Sequence, residues 1–189
     1  MRRLLALVAT LTLLGGCVTG NFVWPDRNPS PQNKFVIFGT KDPATEVHFR
    51  FVFATAEREC EEKRPMGAGN FPVLLEDTIT VEAGTAAFTA EYFLDRYLPG
   101  HCQWHPIRVK MAINFPPQEF PAGLYASWSE IASIGVDTAK PDDMVYRCRR
   151  RAPGARTLWC KGGDAHGNST RVADRGGQLH VTIALEGGH

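Results

Sequence analysis

The stretch Glu46–Ala54 reads EVHFRFVFA, and its pattern decides the fold class. Its large apolar residues occupy every second position, namely Val47, Phe49, Phe51 and Phe53. The polar residues His48 and Arg50 stand between them. Because side chains alternate between the two faces of a β-strand, this spacing predicts a strand with one buried face and one wet face. Strands of that kind are typical of antiparallel sheets.

The same alternation recurs on both sides of this stretch. It is clear in two further runs and weaker in five others, which are residues 108–114 and 178–185, then 35–38, 73–81, 86–94, 144–148 and 158–160. Turn-forming pairs such as Asp42-Pro43 and Pro99-Gly100 separate the runs. This series of short strands predicts an all-β fold, an antiparallel β-sandwich of immunoglobulin-like or transthyretin-like kind. A closed barrel is the alternative.

Three segments depart from the two-residue period. Apolar residues recur three apart at Trp128, Ile131 and Ile134, which predicts a short helix over 128–134. Residues 55–63 are a second candidate for a short helix. Residues 161–177 are rich in Gly, Asp and Asn and are expected to form a long loop.

Length and charge limit the classes of function. The 189 residues are 43% hydrophobic and 22% charged, which is ordinary for one globular domain. With 21 Lys and Arg against 20 Asp and Glu, the formal net charge is +1. That balance creates no overall field to attract nucleic acid, so nucleic acid is not an expected partner.

The N-terminus carries a targeting pattern. Arg2 and Arg3 precede an uncharged apolar run over residues 4–14. The run is 11 residues long, which is too short for a helix to span a bilayer but suits the apolar region of a signal peptide. Directly after it stands Leu14-Gly15-Gly16-Cys17, which resembles the bacterial lipobox. A plain secretory signal followed by an incidental cysteine is the alternative.

The resemblance to bacterial lipoproteins implies a lipid anchor. It implies cleavage after Gly16, a diacylglyceryl group on the Cys17 thiol and acylation of the new α-amine. The next residue is Val18, not the aspartate that typically retains such proteins in the inner membrane. The implied location is therefore the periplasmic face of the outer membrane, where two or three acyl chains would hold the protein firmly.

The chain is accordingly expected to have three parts. These are a signal peptide over 1–16, a lipidated cysteine with a proline-rich tether over 17–33, and a single β-sandwich domain over 34–189. A polyproline-like tether rises about 3.1 Å per residue and would reach up to about 50 Å. Within it, Phe22, Val23 and Trp24 are expected either to enter the membrane interface or to dock on the domain.

The cysteine count also fits export. Setting Cys17 aside leaves an even set for an oxidising compartment, namely Cys60, Cys102, Cys148 and Cys160. Cys148 and Cys160 are equidistant from Gly154 in the turn pair Pro153-Gly154, so a hairpin there would place them opposite each other. We therefore predict the disulfides Cys148–Cys160 and Cys60–Cys102. A four-cysteine metal site would need closely spaced pairs, which the sequence lacks.

The sequence offers little support for catalysis. His101 and His105 flank Cys102, but further metal ligands are missing nearby, and no G-x-S-x-G motif is present. We therefore predict no catalytic residue, no metal and no cofactor. A hydrolase remains a third hypothesis, because carboxylates distant in sequence can converge in a fold.

Positive charge is concentrated in one segment. Residues 147–161 contain six cations and no acidic residue. Four arginines are expected to cluster around the hairpin tip beyond the sheet, in solvent, and these are Arg149, Arg150, Arg151 and Arg156. Trp159 beside them is a candidate aromatic anchor. The cluster is either a solvated tip or a site for carboxylates or phosphates, on an acidic protein, on lipopolysaccharide or on anionic lipid.

Residues 95–104 carry a second resemblance. They read DRYLPGHCQW, which is similar to a stretch in small, mostly uncharacterised proteobacterial lipoproteins. That group includes suspected immunity and accessory proteins of contact-dependent secretion systems. The sequence thus predicts a non-catalytic, protein-binding lipoprotein, with a structural envelope lipoprotein that binds lipopolysaccharide or peptidoglycan as the alternative.

Overall fold

A computed structural model describes residues 23–63, 69–115, 128–135, 143–150, 158–163, 169–174 and 176–186. The described segments form twelve strands. In chain order they are β1 (Lys34–Thr40), β2 (Glu46–Ala54), β3 (Glu62–Lys63), β4 (Asn70–Phe71), β5 (Leu74–Val81), β6 (Ala87–Phe93), β7 (His105–Asn114), β8 (Ser129–Gly135), β9 (Met144–Arg150), β10 (Leu158–Gly163), β11 (Thr170–Ala173) and β12 (Gly177–Leu185). None of these segments is a helix long and apolar enough to cross a membrane.

Two five-stranded sheets pack face to face, which confirms the predicted β-sandwich. One has the order β10-β9-β12-β1-β6 and the other the order β11-β8-β7-β2-β5. The apolar side chains of β2 are fully buried between them, as their spacing predicted. Phe51 of β2 stacks on Tyr92 of β6 with ring centroids 3.8 Å apart, so aromatic contacts join the two sheets.

The prediction of purely antiparallel sheets is wrong, because both sheets are mixed. In the first sheet β12 runs parallel to both β1 and β9, and in the second β11 runs parallel to β8. A polar-apolar alternation reports that one face of a strand is wet. It carries no information on the direction of the neighbouring strand, which is chosen by residues far away in sequence.

The predicted helix over 128–134 is also wrong, because residues 129–134 belong to β8. The pairing of β8 with β7 shifts by one residue and skips Ile131, so Ile131 and Ala132 are both buried. Such a bulge breaks the two-residue period and produces a helix-like spacing. In the second candidate segment, Arg58–Cys60 forms a single turn of 3-10 helix, and the described residues contain no α-helix.

The predicted long loop over 161–177 is wrong in part. Its first residues complete β10, and Thr170–Ala173 forms the edge strand β11 beside β8. Gly162 and Gly163 stay in the ladder, where they pair with Tyr146 and Val145 of β9.

Both predicted disulfides are confirmed. Cys60 bonds to Cys102 across 42 residues, and Cys148 bonds to Cys160 across 12. In the loop-entropy model, closing these loops stabilises the folded state by about 4 and about 3 kcal/mol respectively.

The strand directions define two ends of the sandwich. At one end, which we call the strap end, Lys34 lies opposite Phe93 and Phe35 lies opposite Gly177. From there β1, β9 and β12 all run the same way towards the opposite, distal end. The β9–β10 hairpin lies at the distal end, where Cys148 is level with Leu185.

Candidate binding face on the β9–β10 hairpin

The positive segment folds into a two-stranded antiparallel ladder. Arg149 of β9 lies opposite Trp159 of β10, Cys148 opposite Cys160, and Arg147 opposite Lys161. Because side chains alternate, the buried Cys148 points into the sandwich while its neighbours on β9 point outward. The outward residues Arg147, Arg149, Trp159 and Lys161 form one surface, which we call the arginine face.

Trp159 is the centre of the arginine face. Its side chain is 37% exposed, although tryptophan is usually well buried. The guanidinium carbon of Arg149 lies 4.9 Å from the Trp159 ring centroid, and the Lys161 ammonium nitrogen lies 5.3 Å from it. Both distances are within the range of a cation–π interaction, so the indole holds two positive groups close together.

A carboxylate that follows another strand lies beside the arginine face. Glu186 directly follows β12, and its Oε1 lies 3.9 Å from Nε of Arg147. The Glu186 backbone N–H also donates a 2.7 Å hydrogen bond to the Cys148 carbonyl. Together with the arginine face, Glu186 lines a surface cavity of about 170 Å³. Its walls therefore carry three cations and one anion.

A glycine allows β10 to approach β9 at this place. Gly162 has φ +148°, and a Cβ on it would lie 2.0 Å from the Val145 carbonyl oxygen. A larger residue would therefore collide with backbone and push Lys161 and Trp159 out of register.

Two of the predicted binding residues, Arg149 and Trp159, are brought into contact. Arg150 lies in β9, where its backbone pairs with Leu158. The expectation that the arginines begin beyond the sheet is therefore wrong for Arg149 and Arg150, because the ladder continues to Arg150. Arg151 and Arg156 lie outside the described residues, as does the lipidation site Cys17.

The sequence reasoning assigned no site role to Arg147, Lys161 or Glu186. The first two were visible as charges in the segment, and alternation from Cys148 and Cys160 places them on the outward side. Glu186 had no local signal, because it reaches the face only through the parallel pairing of β12 with β9.

A second feature is the N-terminal strap, which we define as residues 23–33. Asn28 N–H donates to the Arg96 carbonyl at 2.8 Å, and Leu98 N–H donates to the Asp26 carbonyl at 2.9 Å. The Asp95 carboxylate accepts hydrogen bonds from the backbone N–H groups of Gln32 at 2.8 Å and Asn33 at 2.9 Å. The strap is thus bound to the domain by backbone bonds along the block 95–104.

The tip of the strap ends on Trp104. The Trp104 indole N–H donates a 3.0 Å hydrogen bond to the Val23 carbonyl. The Trp24 ring stacks on the Trp104 ring, with the two centroids 6.1 Å apart. The structure shows Trp24 docked on the domain, with more than half of its surface still exposed. The block 95–104, pinned by the Cys60–Cys102 disulfide, is the docking platform.

A titratable cluster lies at the distal end near the start of β2. Burial lowers the pKa of His48 below its ordinary value, and the Glu82 carboxylate partly offsets this. Burial also raises the pKa of Glu46, an effect strengthened by Glu82, with which it shares a hydrogen bond. Lys41 is buried with its ammonium donating to the Thr45 carbonyl at 2.7 Å, and burial lowers its pKa.

A second cluster closes the side of the sandwich between β5 and β6. Asp77 accepts hydrogen bonds from Tyr92 at 3.0 Å and Tyr97 at 3.3 Å and forms an ion pair with Arg96 at 3.2 Å. Burial raises the pKa of both tyrosines, so they stay neutral donors. An inward-facing charge on an edge strand is a known protection against strand addition, and we assign Asp77 that structural role.

The histidines near Cys102 have other partners. His101 Nε2 lies 2.5 Å from Oε1 of Glu59, and the His105 ring contacts the Gln103 carbonyl at 3.1 Å. Within the described parts of the chain, no group of three or more His, Cys, Asp or Glu side chains is arranged to hold a metal ion.

Comparison with known protein families, with curated proteins and with solved structures finds no match to this chain.

Proposed function

We propose that this chain is a lipid-anchored, non-catalytic module on the periplasmic face of the outer membrane that binds an acidic protein partner through the arginine face. In this role it would dock or neutralise a secreted protein, as an immunity or accessory protein of a secretion system does. The observation that carries the proposal is the exposed Trp159, which holds Arg149 and Lys161 at cation–π distance in a cavity that Arg147 and Glu186 also line.

The chemistry of the arginine face favours an anionic, partly planar ligand. Arg149 and Lys161 repel each other beside the same indole ring, and an incoming carboxylate would relieve that repulsion. A guanidinium can also bind a carboxylate through two parallel hydrogen bonds. Tryptophan and arginine are the residues most enriched at binding hot spots, where the ring supplies apolar contact area.

The partner can be captured by photo-crosslinking in living cells. Benzoylphenylalanine replaces Val145, which is exposed on the same side of β9 as Arg147. We expect mass spectrometry of the captured material to identify a protein with an acidic surface. Recovery of lipopolysaccharide or peptidoglycan alone would contradict a protein partner and would favour the structural envelope role.

A charge-removing variant tests whether the arginine face makes the contact. The variant is Arg147→Gln, Arg149→Gln and Lys161→Gln together. Exposed ionic contacts are worth about 0.5–1 kcal/mol each, so three of them should weaken binding by about tenfold to a hundredfold. Binding of the unaltered chain should also fall as salt rises.

A matched control removes the same number of charges elsewhere. It changes three exposed or half-exposed cations outside the face, namely Lys34, Arg58 and Arg108. We expect this variant to bind with nearly unchanged affinity. Equal losses in the two variants would show that net charge, and not the arginine face, attracts the partner.

The anchor has its own test. Cys17→Ser should stop lipidation and leave a precursor or a soluble protein, because serine does not provide the thiol that is alkylated. Incorporation of labelled palmitate into Cys17→Ser protein would refute the anchor at this position.

A further inference from the structure

The N-terminal strap shortens the connection between the proposed anchor and the domain. Residues 23–33 are bound along the block 95–104, so only residues 18–22 lie between Cys17 and the first described residue, Val23. A chain spans at most about 3.3–3.6 Å per residue, so Val23 lies no more than about 22 Å from Cys17. A free tether over the whole of 18–33 would have allowed more than twice that distance.

The strap end exposes apolar groups at the place where this connection begins. Val23 and Trp24 are each 59% exposed, and Leu98 beside them is 40% exposed. Tryptophan favours the boundary between lipid and water, where its ring meets apolar chains and its N–H stays near polar groups. The strap end therefore offers a contact that matches a lipid interface.

The arginine face lies at the other end of the molecule. Along β12, nine residues separate Gly177 at the strap end from Glu186 beside the arginine face. At about 3.3 Å per residue, this places the two ends about 30 Å apart. A lipid surface that meets the strap end, with the strands running away from it, therefore leaves Arg149 about 30 Å from the lipid.

Resting on the proposed anchor at Cys17, we infer that the strap end lies against the outer membrane, with Trp24 at the lipid interface. With the strands running away from the membrane, the arginine face is then held about 30 Å from the lipid, in the periplasm. Its partner is a species of the aqueous space and not the anionic headgroups of the anchoring leaflet.

The contact at the strap end is apolar in character. The segment 57–63 next to the Cys60–Cys102 disulfide is negative overall, because its four glutamates outnumber Arg58 and Lys63. This segment would not attract anionic headgroups, so the Trp24 contact should persist at high salt. Binding at the arginine face should weaken under the same conditions.

Tryptophan fluorescence tests this orientation in the lipidated full chain, placed in zwitterionic phosphatidylcholine vesicles with brominated acyl chains. Bromine quenches only tryptophans close to the lipid. We expect clear quenching of the unaltered chain, loss of most of it in Trp24→Phe, and no change in Trp159→Phe. Phenylalanine keeps a ring on Trp104, so the strap should stay docked.

A water-soluble quencher provides the reciprocal measurement. Iodide should quench Trp159 in these vesicles and leave Trp24 largely protected. If Trp24→Phe does not fold, comparing the bromine quenching of the unaltered chain with that of Trp159→Phe still tests the orientation.

Three outcomes would count against the orientation or its premise. Absence of bromine quenching, or its loss in Trp159→Phe, would overturn the orientation while the anchor stands. An N-terminal peptide whose mass shows no acyl chain on Cys17 would overturn the anchor and the orientation together.

Discussion

Replacing Asp95 by Asn should release the N-terminal strap without unfolding the sandwich. The Asp95 carboxylate accepts the backbone N–H groups of Gln32 and Asn33, and asparagine would turn an NH₂ group towards one of them. That one lost bond at this half-exposed site costs about 1 kcal/mol, so the strap should open about fivefold more often. An energy of about 1.4 kcal/mol corresponds to a factor of ten.

Hydrogen exchange measures this opening directly. The backbone N–H groups of Asn28 and Leu98 bond across the strap but not to the Asp95 side chain, so they report opening itself. Their exchange should accelerate about fivefold, while the amides of β2 and β7 keep their rates. Glu91→Gln, which removes an exposed carboxylate at the same end, should change neither set. Unchanged exchange at Asn28 in Asp95→Asn would refute the reasoning, as would equal acceleration throughout the sheets.

Two further changes test other parts of the fold. Gly162→Ala should destabilise the domain by about 1–3 kcal/mol, because the new Cβ meets the Val145 carbonyl at a positive φ. The loss should appear as a lower unfolding temperature. Gly135→Ala, which has open space around its Cβ, should unfold near the original temperature. His48→Gln should make stability less sensitive to acid. Burial lowers the pKa of His48, so the unfolded state takes up more protons and the original chain loses stability as pH falls below about 6.5. Parallel curves of unfolding temperature against pH for the two proteins would contradict this.

Local patterns in the sequence predicted what depends on local physics. The apolar residues of Glu46–Ala54 are buried because a strand sends alternate side chains to one face. Cys148 and Cys160 pair because the hairpin places them level with each other. Both features follow from spacing along a single stretch of chain, which a sequence displays directly.

Features that depend on distant residues were not predictable in the same way. Nothing near Glu186 indicates that it will meet Arg147, and nothing near Asp95 shows that it will bind the backbone of Gln32. The bulge at Ile131 misled the prediction for a related reason, since it is visible only against the partner strand β7. Such contacts are chosen by the packing of the whole sandwich.

The position of β12 governs when the domain can be completed. It is a central strand of its sheet, with β1 on one side and β9 on the other, yet it follows all other strands in the sequence. During synthesis β1 cannot pair with β12 until more than 130 further residues have been added to the chain. Early compaction is thereby discouraged, because one of the two sheets lacks its central strand until β12 is made. A polypeptide built in this order can complete this sheet only after nearly all of its strands have been made.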